Sequence, residues 1–177
     1  MDFFNLTGKT ALVTGGNGGL GLGMAQGLAN YGCEVILVGR NKKKLTDSVA
    51  LINEAHQGKA HQLLADVNLY EDLERIVYEG IKITGTIDIL VNNAGISIRK
   101  QPQDLSDDDW DQVLNTNLKS VFRLSKLMYS HFETIGHGKI INIGSMYSIF
   151  GSDWVVPYSA SKGAVIQLTK SLAVAWA

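Results

Sequence analysis

Three observations in this 177-residue sequence predict an α/β fold built on a parallel sheet covered on both faces. Short, continuously apolar runs recur along the chain, as strands buried on both sides require. Helical patterns of ten residues or more alternate with them, which is the rhythm of parallel strands joined by crossover helices. The first run leads through a glycine-rich turn directly into the first helical pattern. The order reads βαβαβαβαβα, with no internal repeat and no low-complexity segment.

Lys9 to Thr14 is the first predicted strand, and Leu20 to Tyr31, with Leu22, Ala25, Leu28 and Ala29 in phase, the first helix. Between them lies Thr14-Gly-Gly-Asn-Gly-Gly-Leu-Gly21. Glycines let backbone approach a pyrophosphate, and a helix N-terminus offers unpaired N–H groups and the positive end of a dipole. Gly15, Asn17, Gly19, Leu20 and Gly21 are therefore candidate dinucleotide contacts. Gly8-Lys9-Thr10 resembles the end of a P-loop only superficially: Phe3 stands where a glycine is needed, and the run enters a strand.

Glu34 to Gly39 is the second strand. Dinucleotide folds often end this strand with a carboxylate on the ribose 2′-hydroxyl. Here the place is Gly39, followed by Arg40. A missing carboxylate beside a guanidinium favours a 2′-phosphate, so NADP is expected in preference to NAD. Asn41 caps a helix to His56; Ala60 to Ala65 is the third strand, closed by Asp66-Val67; Tyr70 to Thr84 is a helix. Ile87 to Val91 is the fourth strand and leads into Asn92-Asn93-Ala94-Gly95. Ser106 opens a long helix reaching about Phe132, and Asp107, Asp108 and Asp109 fit a capped first turn better than a metal site. Asn117 interrupts its apolar face, and a polar group there needs partners.

A run from Lys139 to Ser145 is the fifth strand, and a helix opens at Pro157-Tyr158. Tyr158 and Lys162 are four residues apart, which on a helix brings phenol and ammonium to one face. A phenol, with a pKa near ~10, exchanges protons poorly at neutral pH, and an adjacent ammonium favours its ionised form. Tyr78 and Lys82 share the spacing but lack a serine at a preceding strand end, so they read as a solvated helix face.

Composition excludes other classes. A net charge of −1 gives no pull toward nucleic acid or membrane. Cys33 is the only cysteine, and His56, His61, His131 and His137 are scattered, so no disulfide framework or metal site is expected. No apolar run approaches the ~20 residues of a membrane span, and no signal peptide is apparent, so a cytoplasmic protein is expected. The length fits a single domain over residues 1–177.

Taken together, Thr14-Gly-x-x-x-Gly-x-Gly21, Asp66-Val67, Asn92-Asn-Ala-Gly95, Asn117, Ser145, Tyr158 and Lys162 resemble the short-chain dehydrogenase/reductase family. The resemblance implies a Rossmann-type doubly wound sheet in three α/β/α layers. It implies an NAD(P)-dependent oxidoreductase acting on a carbonyl or secondary alcohol. Asp66 and Val67 would flank the adenine, and Asn93, Ala94 and Gly95 would shape the cofactor cleft with Asn92. Asn117, Ser145, Tyr158 and Lys162 would form a catalytic tetrad. In it Tyr158 would exchange a proton with the substrate oxygen and Ser145 would hydrogen-bond that oxygen. Lys162 would bind the nicotinamide ribose, and Asn117 would hold a water leading to solvent.

Two substrate classes are suggested. Gly138 to Met146 and Ile98-Arg99-Lys100 are similar to gluconate and ketodeoxygluconate dehydrogenases; Thr116 to Lys126 is similar to 3-oxoacyl-carrier-protein reductases. Sugar acids are favoured, and Arg99 could meet their carboxylate. Family members continue past the tetrad helix with further strands, so the domain is expected to be incomplete at its C-terminus. The strand Ile140 to Ile143 would then be an open edge and the isolated chain a poor enzyme. The remaining alternative is a truncated nucleotide-binding module without catalysis. The full-length protein is expected to be a homo-oligomer, a dimer or tetramer.

Overall fold

The computed structural model describes residues 4–56 and 58–177. Five parallel strands, β1 (Thr10–Thr14), β2 (Glu34–Gly39), β3 (Ala60–Leu64), β4 (Ile89–Asn92) and β5 (Lys139–Asn142), form one sheet in the order β3-β2-β1-β4-β5. The helices are α1 (Gly19–Asn30), α2 (Lys42–Ala55), α3 (Tyr70–Thr84), α4 (Asp107–Leu114), α5 (Ser120–Ile135) and α6 (Val156–Ala175). Among the described residues no helix is long and apolar enough to cross a membrane.

The described chain divides into two compact units. The first comprises the chain up to Ala94 together with Leu124–Ile141. Its strands are apolar because both faces are covered. Leu12, Ile36, Val38 and Leu90 pack with Leu73 and Ile76 of α3 and with Leu124, Met128 and Phe132 of α5. Val13, Val35 and Leu37 alternate with that set and are buried toward the other face, where α1 and α2 lie. The winding reverses between β1 and β4, paired in the register Leu12↔Leu90. The carboxyl ends of two such strands frame the crevice where open α/β sheets take ligands.

The second unit comprises Gly95–Arg123 and Asn142–Ala177. Here one predicted helix is three elements. α4 starts at a full capping box, with Ser106 Oγ accepting from Asp109 N–H and Asp109 reaching back to Ser106 N–H. A π-helical turn, Asn115–Lys119, follows before α5. β5 also ends earlier than expected: Ile143 to Ser145 leave the sheet and enter a 3₁₀ turn at Met146–Ser148. β5 is the outer strand and Ile141 is exposed, while α6 buries only Pro157, Ser161, Lys162 and Val165.

Candidate active site

In the first unit the turn after β1 has the geometry its glycines predict. Gly15 and Gly19 have φ of +64° and +51°, which side chains disfavour. Gly21 is required for another reason: a Cβ there would lie 2.2 Å from Gly15 O. Around Gly19 the space is open, and no side chain caps α1. The result is an uncovered helix N-terminus beside closely packed backbone, which fits a pyrophosphate.

Asn93 staples this turn to β4. Its Nδ2 donates to Thr14 O at 3.0 Å and Gly15 O at 3.2 Å, and its N–H and that of Ala94 donate to Thr14 Oγ1. The side-chain amide of Asn93 thus acts on the turn's shape, and the buried Asn92 donates to Ser125 Oγ at 3.1 Å.

At the end of β2, Gly39 is covered by the Asn17 side chain, which a Cβ would approach to 2.8 Å. Arg40 extends from the same strand end, and its guanidinium lies 3.5 Å from Asp66 Oδ2 beyond β3. Asp66 Oδ1 accepts from both the N–H and the amide of Asn68, and Val67 is buried. The structure therefore brings Asn17, Gly39, Arg40 and Asp66 together at one corner.

In the second unit the remaining candidates meet around the start of α6. Pro157 occupies the first turn, where its missing N–H costs nothing. One turn on, Lys162 is buried, with its Nζ 5.7 Å from the centroid of the Tyr158 ring and donating to Ile143 O at 2.7 Å. Burial holds the ammonium's pKa below its ordinary value. Tyr147 meets the Tyr158 ring edge-on at 6.3 Å between centroids, and its N–H donates to Ser145 Oγ at 3.2 Å.

Asn117 is fully buried at the π turn. Its Oδ1 accepts from Ile96 N–H at 2.8 Å, and its Nδ2 donates to Ile96 O at 2.9 Å and Ser161 Oγ at 3.0 Å. Ser161 Oγ passes its own proton to Tyr158 O at 2.7 Å. Both amide protons are committed to protein, so a water held by Asn117 would have to use its remaining acceptor capacity. Arg99 stacks on Trp154, 5.2 Å from guanidinium carbon to ring centroid, and Lys100 N–H donates to Trp154 O. By contrast Tyr78 is exposed on α3, and Lys82 lies near Glu79 rather than in any pocket of reactive groups.

Sequence reasoning passed over Ser148, Ser161 and Tyr147. Ser161 had a signal: it is a small polar residue inside the apolar stretch of a helix, one position before the candidate lysine.

The short chain dehydrogenase pattern matches residues 9–177. A gluconate 5-dehydrogenase of Gluconobacter oxydans is 42% identical over 99% of this chain and 68% of its own length. A 2-dehydro-3-deoxy-D-gluconate 5-dehydrogenase of Dickeya dadantii is 42% identical over all of this chain and 69% of its own length. A solved NAD⁺-bound xylitol dehydrogenase superposes with a TM-score of 0.93 at 32% identity, covering 97% of this chain and 66% of that one. A family match over residues 9–177, together with relatives 42% identical over 99% or more of this chain, leaves one conclusion: the chain belongs to the short-chain dehydrogenase family, NAD(P)-dependent oxidoreductases that act on CH–OH groups.

Proposed function

We propose that the protein interconverts a secondary alcohol and a ketone of a sugar acid, with NADP(H) as the preferred partner. The observation that carries the reading is the buried Lys162 with its Nζ 5.7 Å from the centroid of the Tyr158 ring, while Tyr147 meets that ring edge-on and holds Ser145 Oγ with its N–H. When bound, the dinucleotide delivers or accepts the hydride. Tyr158 exchanges the proton at the substrate oxygen, with the Lys162 ammonium close to its ring. Ser145 Oγ accepts from Tyr147 N–H, which leaves its own proton for that oxygen. Lys162 spends one of its three protons on Ile143 O and keeps the others for the nicotinamide ribose. Asn117 holds the Ile96 segment against α6 through Ser161.

On the nucleotide side, Gly15, Asn17, Gly19, Leu20 and Gly21 bind the pyrophosphate and adjoining ribose, Asp66 and Val67 the adenine, and Asn93, Ala94 and Gly95 further cofactor atoms. The NADP preference rests on Gly39 in place of a carboxylate and on Arg40, which is two-thirds exposed and available to a phosphate. The sugar-acid reading rests on the names of the relatives and on Arg99, whose stacking on Trp154 fixes a guanidinium that suits a carboxylate. Self-association would cover the exposed Trp110 and Phe122.

A panel of sugar acids and 3-oxoacyl thioesters, assayed with NADP and NAD on wild type and Tyr158→Phe, tests this. Turnover of a sugar acid, faster with NADP and lost in Tyr158→Phe without loss of NADPH binding, is expected. Faster turnover of the thioesters would refute the substrate class. NADPH binding with no turnover of any substrate would leave a nucleotide-binding module.

A further inference from the structure

Ser148 joins the two chain segments that carry the reacting groups. Its Oγ accepts the N–H of Ser145 at 3.1 Å and donates its single proton to the carbonyl of Lys162 at 2.9 Å. The same turn is closed by Ser148 N–H on Ser145 O at 3.0 Å, and Tyr147 N–H holds Ser145 Oγ. On the other side, Lys162 Nζ returns to Ile143 O. The stretch from Ile143 to Ser148 is thus tied to Lys162 twice, once through the ammonium and once through the Ser148 hydroxyl. Gly144 lets the segment lie this close: a Cβ there would stand 3.0 Å from Ile166 Cδ1 and 3.4 Å from Ser148 Oγ.

We infer that Ser148 is a positioning residue that sets the Ser145 hydroxyl and the Lys162 backbone in register for the reaction. The inference rests on the reading of Ser145, Tyr158 and Lys162 as the reacting groups. The chemistry requires a hydroxyl at this place, because one atom must accept from Ser145 and donate to Lys162 at once. Alanine does neither. Threonine does both. A displacement of about 1 Å at a reacting group is enough to cost ~100-fold in rate. Ser148 touches no substrate in this reading, so its loss acts on the chemical step and not on binding.

The test compares the intact enzyme with its Ser148→Ala, Ser148→Thr, Ser145→Ala, Ser145→Ala/Ser148→Ala and Tyr158→Phe variants. The readouts are kcat, KM, the pH profile of kcat, NADPH binding by fluorescence and thermal melting. Ser148→Ala is expected to lower kcat by roughly 10- to 100-fold and move the pH profile, leaving KM and NADPH binding within about twofold. Ser148→Thr restores kcat to within about threefold. The two serine losses do not multiply: the double variant is within about threefold of Ser145→Ala, because groups acting as a unit are non-additive.

A wild-type kcat and pH profile in Ser148→Ala overturns the inference. So does a loss that threonine does not restore, a fully multiplicative double variant, or a loss explained by unfolded protein. If Tyr158→Phe keeps its rate, the reading of the site itself falls, and this inference with it. If Tyr158→Phe is inactive while Ser148→Ala is not, only the role of Ser148 falls.

Discussion

Replacing Asn117 by aspartate is expected to destabilise the protein more than replacing it by alanine at pH 8. The asparagine side chain is fully buried and makes three bonds: one accepted, from Ile96 N–H, and two donated, to Ile96 O and Ser161 Oγ. Alanine removes all three, at about 1 kcal/mol net each, and Ile96 is only half-buried, so water relieves part of the loss. About 2–3 kcal/mol follows. Aspartate keeps the bond from Ile96 N–H but turns both donated bonds into oxygen–oxygen contacts. Ser161 could answer only by withdrawing its proton from Tyr158 O. An uncompensated charge is added, and breaking a buried charge pairing costs about 3–5 kcal/mol. Against a total of ~5–15 kcal/mol either loss is measurable. Burial raises the aspartate variant's pKa above that of the unfolded chain, so its protonated form is favoured by folding. The deficit is then full at high pH and shrinks as pH falls through the raised value, because a protonated carboxyl can donate again. Urea unfolding at pH 8 and pH 5 reads both variants. An aspartate variant as stable as the alanine variant at pH 8, or a gap unchanged by pH, would refute the reasoning.

Arg40→Ala should weaken NADPH binding by about 1–3 kcal/mol, the scale of a charge-assisted contact, and leave NADH binding nearly unchanged in fluorescence titration; equal losses would sink the 2′-phosphate assignment. Tyr78→Phe should keep wild-type turnover, since Tyr78 is exposed on α3 and remote in sequence from Ser145, Tyr158 and Lys162; a loss matching Tyr158→Phe in the same assay would reverse the assignment of the two tyrosines. Asp88→Asn should cost about 1.5–3 kcal/mol in urea unfolding at pH 7, because the buried carboxylate accepts from Lys9 Nζ, Thr10 N–H and the His137 ring. Burial alone would raise its pKa, but those partners outweigh it and hold the value below the ordinary carboxylate range. This share of stability is therefore present above the unfolded pKa and is lost as pH falls through the folded one, and the asparagine variant should lack that part of the acid dependence.

What could be read before the structure depended on whether a feature was local. The glycine turn was legible because positive φ and close backbone packing leave no other residue type at Gly15 and Gly21. The strands of the first unit were legible because burial on both faces imposes unbroken apolar runs on β1, β2 and β4. β3, at the sheet's edge, buries only Ala60 and Leu63 and carries His61 and Gln62 between them. Non-local pairings were not legible. Nothing in Arg40-Asn41 or in Asp66-Val67 announces that the two side chains meet; strand order alone brings them together. Ser148 shows the same limit, since its role depends on a carbonyl fourteen residues away.

The π turn is the instructive intermediate case. One long helix with an apolar face was expected here, yet Trp110 and Phe122, both apolar, are exposed. The buried apolar residues are Val113, Val121, Leu124, Met128 and Phe132, and Thr116, Asn117, Ser120 and Ser125 are buried with them. From Val113 to Phe132 this stripe is one residue longer than five turns of 3.6 residues. A regular helix would carry the stripe off its face, so somewhere the chain must take up an extra residue, and a π-bulge does that. It does so at Asn115–Lys119, around the fully buried Asn117. The widened turn sets Asn117 where its amide can reach backbone outside its own helix at Ile96 and a hydroxyl on α6, bonds that a strictly α-helical position would have to compete for with its own turn. Both signals, the spacing of the apolar residues and the asparagine among them, were present in the sequence. Each was weak alone, and only their coincidence at one position marks the place where the helix gives up its regularity to support the group around Tyr158.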